Sequence, residues 1–425
     1  MSTYHIWTIG CQMNVADSRR LSEALEEMGL QRAPRLEDAD VMVLNTCVVR
    51  QSAEDKVLGR LSSLKSAKRR RPGAILALMG CFVGQESEEA RLHQAYPFVD
   101  LFLPPSDPTP LLDLLRRAGA SPSGGPSAQP GDDRPVCAYT TIMQGCNNFC
   151  SYCIVPYRRG REVSRPVDEI VAEVRRLVVA GAREVTLLGQ NVDSYGRTLP
   201  GQPTLSDLLS AVHEVEGLWR IRFLTSHPKD LTAQLIETVA RLPKVCEHIE
   251  LPIQAGDDET LRRMNRHYTV AHYRELIRQL RAALPGLSLG TDVVVGFPGE
   301  TAGQFDNTYA LLREIRFDIV HIASYSPRSG TAAARLADDV PPDEKERRRV
   351  AVEQLQERVA GEINAELLDQ TVEILVEDRH KDKWRGRTRT NKLVFFSDPR
   401  DWRGLLARVR ITWTGPWSMQ GTAVG

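Results

Sequence analysis

Three cysteines stand close together in the run CNNFCSYC: Cys146, Cys150 and Cys153. Three thiolates on one short loop suit three corners of a cubic iron–sulfur cluster and leave the fourth iron open to a substrate. An open iron that took the amino and carboxylate groups of a methionine would set its sulfonium beside the cluster, where one electron cleaves S-adenosylmethionine to a radical. The competing reading is structural zinc. That ion wants four ligands, and neither a nearby histidine nor a paired CxxC supplies the fourth.

Cys11, Cys47 and Cys81 are far apart in sequence, yet each closes an apolar run: HIWTIGC, VMVLNTC and ILALMGC. If these runs are strands of one parallel sheet, the cysteines face the same sheet edge and three thiolates converge there. The alternative is three unrelated buried cysteines, a common core residue. Cys137 and Cys246 fit neither set and read as ordinary reduced thiols.

These sites need elements to carry them. From His5 to Ala118 apolar runs alternate with helical patterns, which indicates a parallel sheet with crossover helices. Residues 119–135, rich in Gly, Pro, Ser and Asp, build no core and read as a linker after a first domain of residues 1–118. Over residues 136–341 the alternation repeats in six longer units, the pattern of a partial (β/α)6 barrel whose active site gathers at the carboxyl ends of its strands. Residues 342–370 form a connecting helix, with Val350, Leu355, Val359, Ile363 and Leu367 near helical spacing. Residues 371–425 break into short alternating runs that suit a small antiparallel β-barrel.

The whole is an α/β chain of 425 residues with 55 basic and 55 acidic side chains, so no chain-wide pull on nucleic acid is expected. No stretch approaches the roughly 18 apolar residues of a spanning helix, and the first residues lack an export signal. A cytoplasmic protein away from membranes is expected, and its eight cysteines read as metal ligands and reduced thiols rather than a disulfide framework.

With both triplets placed, the chain resembles the radical S-adenosylmethionine methylthiotransferases, most closely the tRNA branch that modifies isopentenylated adenosine beside the anticodon. The resemblance spans almost the whole chain. It rests on GCQMN (10–14), LNTCVVR (44–50), MGC (79–81), QGCNNFCSYCIVPYRRGREVSRP (144–166), LLGQNV (187–192), TSHP (225–228), LPIQAG (251–256), GFPGE (296–300) and SYSPRSGT (324–331). It implies two [4Fe–4S] clusters, a radical-generating one on Cys146, Cys150 and Cys153 and an auxiliary, sulfur-presenting one on Cys11, Cys47 and Cys81. It also implies two S-adenosyl-L-methionine molecules, a tRNA substrate, a reductant such as flavodoxin or ferredoxin, and a monomer.

By the same resemblance Tyr152 flanks the cofactor adenine, and Gly189, Gln190 and Asn191 meet its methionine amino group. Ser226, Gln254 and Asp292 lie where later strands bind carboxylate or ribose. Each has a plain alternative as a turn residue or a satisfied buried polar group. The last region carries 11 lysines and arginines against 6 acidic residues. There Lys383, Trp384, Arg385 and Arg387 read as an RNA grip of cations around a stacking ring, or else as a solvated charged face. With the resemblance this region looks like a TRAM domain holding tRNA, while Arg158, Arg159 and Arg161 meet the RNA backbone nearer the active site. Rival readings keep the chemistry on a threonylcarbamoylated adenosine or a ribosomal-protein aspartate, or make the chain a non-catalytic RNA-binding or electron-carrying protein. GCQMN favours the isopentenyl branch.

Overall fold

A computed structural model of the chain describes residues 2–47, 51–83, 89–119 and 135–424. The expected linker, 119–135, lies almost wholly outside the described residues. The chain divides into two compact units: Met1–Asp133 with Gln144–Asn147 and Ile154–Glu162, and Arg134–Met143 with Asn148–Cys153 and Val163–Gly425.

The first unit is a five-stranded parallel sheet, β1 (Thr3–Thr8), β2 (Gln31–Arg32), β3 (Val41–Thr46), β4 (Ile75–Gly80) and β5 (Leu101–Leu103), in the order β2-β1-β3-β4-β5. Helices α1 (Gln12–Glu27), α2 (Gln51–Arg70), α3 (Glu89–Ala95) and α4 (Thr109–Arg117) connect the strands. Every residue of β3 and β4 is buried, as a strand covered on both faces must be. Their side chains alternate: Val41, Val43, Ile75, Ala77 and Met79 pack with Leu21, Leu25, Leu111 and Leu115. Met42, Leu44, Leu76 and Leu78 pack on the other face with Val57, Leu61 and Leu64. The chain winds outward in opposite directions from β1 and β3, so a crevice opens at their carboxyl ends.

In the second unit six parallel strands form two three-stranded sheets. The first holds β6 (Cys137–Thr141), β9 (Glu184–Leu188) and β10 (Arg220–Phe223). Between β6 and β9 in sequence come the short β7 (Met143–Gln144) and β8 (Val163–Ser164) and helix α6 (Val167–Val179), while α5 (Val155–Arg159) is counted in the first unit. The second holds β11 (His248–Glu250), β12 (Ser288–Val295) and β13 (Ile319–Ser324). A parallel bridge from Ile221 to Val245 links the two sheets. Helices α7 (Leu205–His213), α8 (Ala233–Arg241), α10 (Val270–Ala283) and α11 (Ala302–Ile315) cover them, with α9 (Asp258–Arg263) between β11 and α10. Four of these starts share one device: Thr204, Thr232, Thr269 and Thr301 each accept a backbone N–H of the first turn.

Helix α12 (Pro342–Ala365) follows, with Val352, Leu355 and Val359 against the core. The closed barrel after it has the order β14-β15-β16-β18-β17, from β14 (Thr371–His380), β15 (Lys383–Thr388), β16 (Leu393–Phe396), β17 (Leu406–Thr414) and β18 (Met419–Ala423). The expectation of an antiparallel barrel needs one correction. The β17–β18 hairpin folds back so that β18 closes the barrel against β16 in parallel.

The small barrel docks on the amino-terminal edge of the parallel strands through cations. Buried Arg222 reaches Glu184 at 2.8 Å and the carbonyls of Arg389 and Thr388 at 2.7 and 2.8 Å. Arg220 reaches the carbonyl of Arg387 at 2.7 Å, and Arg389 forks onto Glu247 at 2.7 and 2.8 Å. Removing one partner of a buried pair strands the other, at a cost of about 3–5 kcal/mol. We therefore expect Arg222→Ala to lower the urea midpoint of the full chain far more than Arg389→Ala, whose pair is partly solvated. Equal midpoints would deny Arg222 its bridging role.

Candidate iron–sulfur centres and cofactor cleft

In the first unit β1, β3 and β4 are neighbours, with Thr8 beside Asn45 and Thr46 beside Gly80, so the cysteines that follow them share one sheet edge. Gly10, at φ +143°, makes the approach possible, because a Cβ there would stand 2.7 Å from the Cβ of Cys47. Helix α1 begins at Gln12, so Cys11 is its N-cap. Asn14 ties this helix start to β3. Its Oδ1 accepts the Cys11 backbone N–H at 3.3 Å, while its Nδ2 donates to Asn45 Oδ1 at 2.8 Å and to the Thr46 carbonyl at 3.0 Å.

Arg159 completes this pocket. Its Nε donates to Cys81 Sγ at 3.3 Å, and its Nη1 lies 3.1 Å from Ser106 Oγ and 3.5 Å from Asp17 Oδ2. Arg159 is 9 % exposed and Asp17 3 %. Burial pushes the Cys81 thiol up and the nearby guanidinium pulls it back. The expectation that Arg159 meets an RNA backbone is thereby corrected: its charge is held inside, because a buried carboxylate and a sulfur need it. Arg158 stays partly exposed.

The second triplet sits on a tightly held loop. Gly145, at φ +76°, has no room for a Cβ beside the Arg161 carbonyl, and the Cys146 N–H donates to the Gly160 carbonyl at 3.1 Å. Further on, the Cys153 N–H donates to the Cys150 carbonyl at 2.9 Å. Asn265 Nδ2 holds the carbonyls of Asn148 and Phe149 at 3.2 and 3.0 Å. Buried Arg266 was not foreseen. Its Nη1 donates to Cys150 Sγ at 3.3 Å, its Nε to the Tyr268 hydroxyl at 3.0 Å and its Nη2 to the Pro252 carbonyl at 3.0 Å. Tyr152 is partly buried against the core.

None of the eight cysteines is in a disulfide. Among the described residues no three His, Cys, Asp or Glu side chains gather tightly enough for a single metal ion. Two sets of three thiols, each with one sulfur hydrogen-bonded to a buried guanidinium, fit a cluster that takes one thiolate per iron.

At the carboxyl ends of the second unit's strands, Gly189, Gln190 and Asn191 directly follow β9, and Ser226 and Gln254 follow β10 and β11. Asp292 lies within β12, three residues short of its end, and its carbonyl accepts the Gln254 N–H at 2.8 Å. Two side chains of this set have partners inside the protein. Ser226 Oγ donates to Asp193 at 3.0 Å, and Asn191 Nδ2 donates to Asp230 at 2.8 Å. The Asn191 Oδ1 is buried without a partner among the described residues. Asp193 and His227 were also missed, since nothing in their spacing marks them. Burial lifts Asp193 to about 7, against the His227 N–H and Ser226 hydroxyl that it accepts. Burial and neighbouring Arg266 hold His227 down to about 2.

Residues 140–312 match the model of the Radical SAM superfamily, and residues 3–104 match that of Uncharacterized protein family UPF0004. Among solved structures the chain is similar to the radical S-adenosylmethionine methyltransferase TsrM from Kitasatospora setae. The TM-score is 0.58 at 14% identity, over 79% of this chain and 77% of that one. It is also similar to the cobalamin-dependent radical enzyme OxsB, with a TM-score of 0.52 at 11% identity over 83% and 56%. At such identities the likeness concerns the fold alone. A tRNA-2-methylthio-N(6)-dimethylallyladenosine synthase of Roseiflexus sp. (strain RS-1) is 53% identical over 98% of this chain and 89% of its own. One of Dehalococcoides mccartyi (strain CBDB1) is 49% identical over 100% and 99%. The chain belongs to the tRNA-2-methylthio-N(6)-dimethylallyladenosine synthase family.

In this family member the cations expected to grip RNA are largely occupied within the protein. Trp384 is 8 % exposed in the barrel core, and its indole N–H donates to the Asp398 carbonyl at 3.1 Å, so its ring offers no stacking face. Arg385 forks onto Asp378 at 2.5 and 2.7 Å, Lys383 reaches Gln420 at 2.6 Å, and Arg387 binds the Asn391 carbonyl at 3.0 Å. The outer residues of β17, Arg408 and Arg410, are exposed instead, as are Trp413 at 50 % and Trp417 at 58 %.

His227 yields a pH test. Its Nδ1 accepts the Lys229 N–H at 3.2 Å, so the folded ring stays neutral, while the unfolded ring takes a proton below its ordinary 6.5. A group with a depressed folded pKa of this kind costs stability as pH falls. The expected loss from this ring is about 1.4 kcal/mol per pH unit below 6.5. His227→Gln should remove that part of the loss between pH 6.5 and 5.5 in urea titrations; an unchanged slope would refute the neutral buried ring.

Proposed function

We propose that this chain methylthiolates carbon 2 of N6-isopentenyladenosine beside the anticodon of tRNA, using two [4Fe–4S] clusters and two molecules of S-adenosyl-L-methionine. The observation that carries the reading is the pair of separate three-thiol sets, each at the carboxyl edge of parallel strands, in a chain similar over its full length to enzymes named for that product. Cys146, Cys150 and Cys153 hold the radical-generating cluster; Cys11, Cys47 and Cys81 hold the auxiliary one. When bound, the first cluster supplies the electron that cleaves the sulfonium and the second supplies the sulfur. Carbon 2 of adenine is neither acidic nor electrophilic enough for acid–base help, which is why a radical route suits it.

The chain's own residues prepare the site. Arg266 donates to Cys150 Sγ and orients Tyr268; Asn265 fixes the loop before Cys150. Tyr152 flanks the adenine, and Gly189, Gln190, Asn191, Ser226, Gln254 and Asp292 form the cleft wall, with Asn191 Oδ1 available as an acceptor. Residues 1–118 serve the auxiliary centre, 136–341 the radical chemistry and 371–425 the tRNA, with Lys383, Arg385 and Arg387 adding positive field behind the exposed β17 face. Arg158 adds charge near the radical centre. Among the described residues no helix is long and apolar enough to cross a membrane. We read the enzyme as a cytoplasmic monomer reduced by a flavodoxin or ferredoxin.

Anaerobically reconstituted chain should hold about eight irons and convert isopentenylated tRNA to its methylthio form, read by nucleoside mass spectrometry. Cys150→Ala should abolish 5′-deoxyadenosine. Cys47→Ala should keep it and lose the methylthio product. Product on a ribosomal-protein aspartate or on threonylcarbamoylated tRNA alone would reassign the substrate, and loaded protein that never cleaves the cofactor would make the chain a carrier. In filter binding, Trp417→Ala should weaken tRNA retention several-fold, since one stacked base contributes about 1–3 kcal/mol; retention unchanged would move the RNA surface elsewhere.

A further inference from the structure

The two buried arginines that donate to a cysteine sulfur differ in what faces them. Arg266 spends its other donors on neutral oxygens, the Tyr268 hydroxyl and the Pro252 carbonyl. Arg159 faces the carboxylate of Asp17, and both side chains are almost fully removed from water, at 3 % and 1 % exposure. Each of the two leaves one polar atom without a partner among the described residues, Arg159 Nη2 and Asp17 Oδ1. This is poor geometry for a pair whose purpose is stability. At 3.5 Å the pair is long, whereas the contact from Arg159 Nε to Cys81 Sγ at 3.3 Å has an ordinary N–H···S length. Arg159 is therefore held by a sulfur as much as by its counter-ion. Cys11 also lies within its electrostatic reach.

We propose that Arg159 and Asp17 form a positioning pair that sets the reduction potential of the auxiliary cluster, with Arg159 stabilising the reduced form and Asp17 offsetting it. The inference rests on the assignment of Cys11, Cys47 and Cys81 to a cluster. Reduction adds one negative charge to the cluster, and an N–H donor and a cation beside a ligating sulfur favour that added charge. A carboxylate behind the guanidinium opposes it, and weak local screening makes both effects large. Arg159 also lies in the short helix that follows Cys153 in sequence, so one stretch of chain carries the radical triplet and then this donor.

The test is redox titration of the full-length reconstituted protein, with the reduced clusters followed by electron paramagnetic resonance. Mössbauer spectra establish first that both clusters are present. Asp17→Asn is nearly isosteric and should shift the auxiliary midpoint upward. Arg159→Met combined with Asp17→Asn should shift it downward relative to Asp17→Asn alone, with Arg159→Lys between. The radical-site midpoint should not move in any of them. Unshifted auxiliary midpoints in Asp17→Asn and in the double variant, with the cluster retained, would overturn the inference. Failure of the wild-type chain to load any cluster on Cys11, Cys47 and Cys81 would instead overturn the functional assignment.

Discussion

Arginine keeps its charge at any pH a protein meets, so a buried guanidinium is a permanent positive charge that its surroundings must answer. Arg159 and Arg266 are both answered in part by sulfur. Neutral thiols are weak acceptors and would leave such a cation poorly compensated; thiolates shared with iron are better partners. Much else follows from this demand. Asp17 on α1 is buried where it faces Arg159, and Asn265 with Arg266 fixes the loop of the second triplet from outside it.

Strand direction is the second constraint. A parallel sheet delivers every strand end to the same edge, so cysteines remote in sequence need no special folding step to become neighbours. In the second unit the same geometry separates two edges: Gly189, Gln190, Asn191, Ser226 and Gln254 follow the carboxyl ends of strands, and the small barrel docks at the amino edge through Arg220, Arg222 and Arg389. These docking contacts are largely charged or backbone groups. They fix the barrel's orientation by directional hydrogen bonds.

The cationic run from Arg379 to Lys392 shows where reading a sequence stops. Its composition suggested an exposed nucleic-acid grip. Yet alternate residues of a strand point to opposite sides, and Trp384, Gly386 and Thr388 face inward on β15 while Lys383, Arg385 and Arg387 find partners on neighbouring strands and turns. Nothing in the run announces that Arg389 belongs to Glu247, more than a hundred residues away.

The sequence alone determined the two cysteine triplets, the parallel α/β order of both units, the long connecting helix and the terminal barrel. Each of these is written in local pattern: ligand spacing, apolar period and turn residues. Tertiary structure decided the rest. It made Cys11 a helix cap through Asn14, buried Arg159 against Cys81, brought Arg266 to Cys150, and turned Ser226 toward Asp193. Each of these is a contact between segments that share no local pattern. Long-range hydrogen bonds are chosen by which groups are removed from water together, and only the folded chain specifies that.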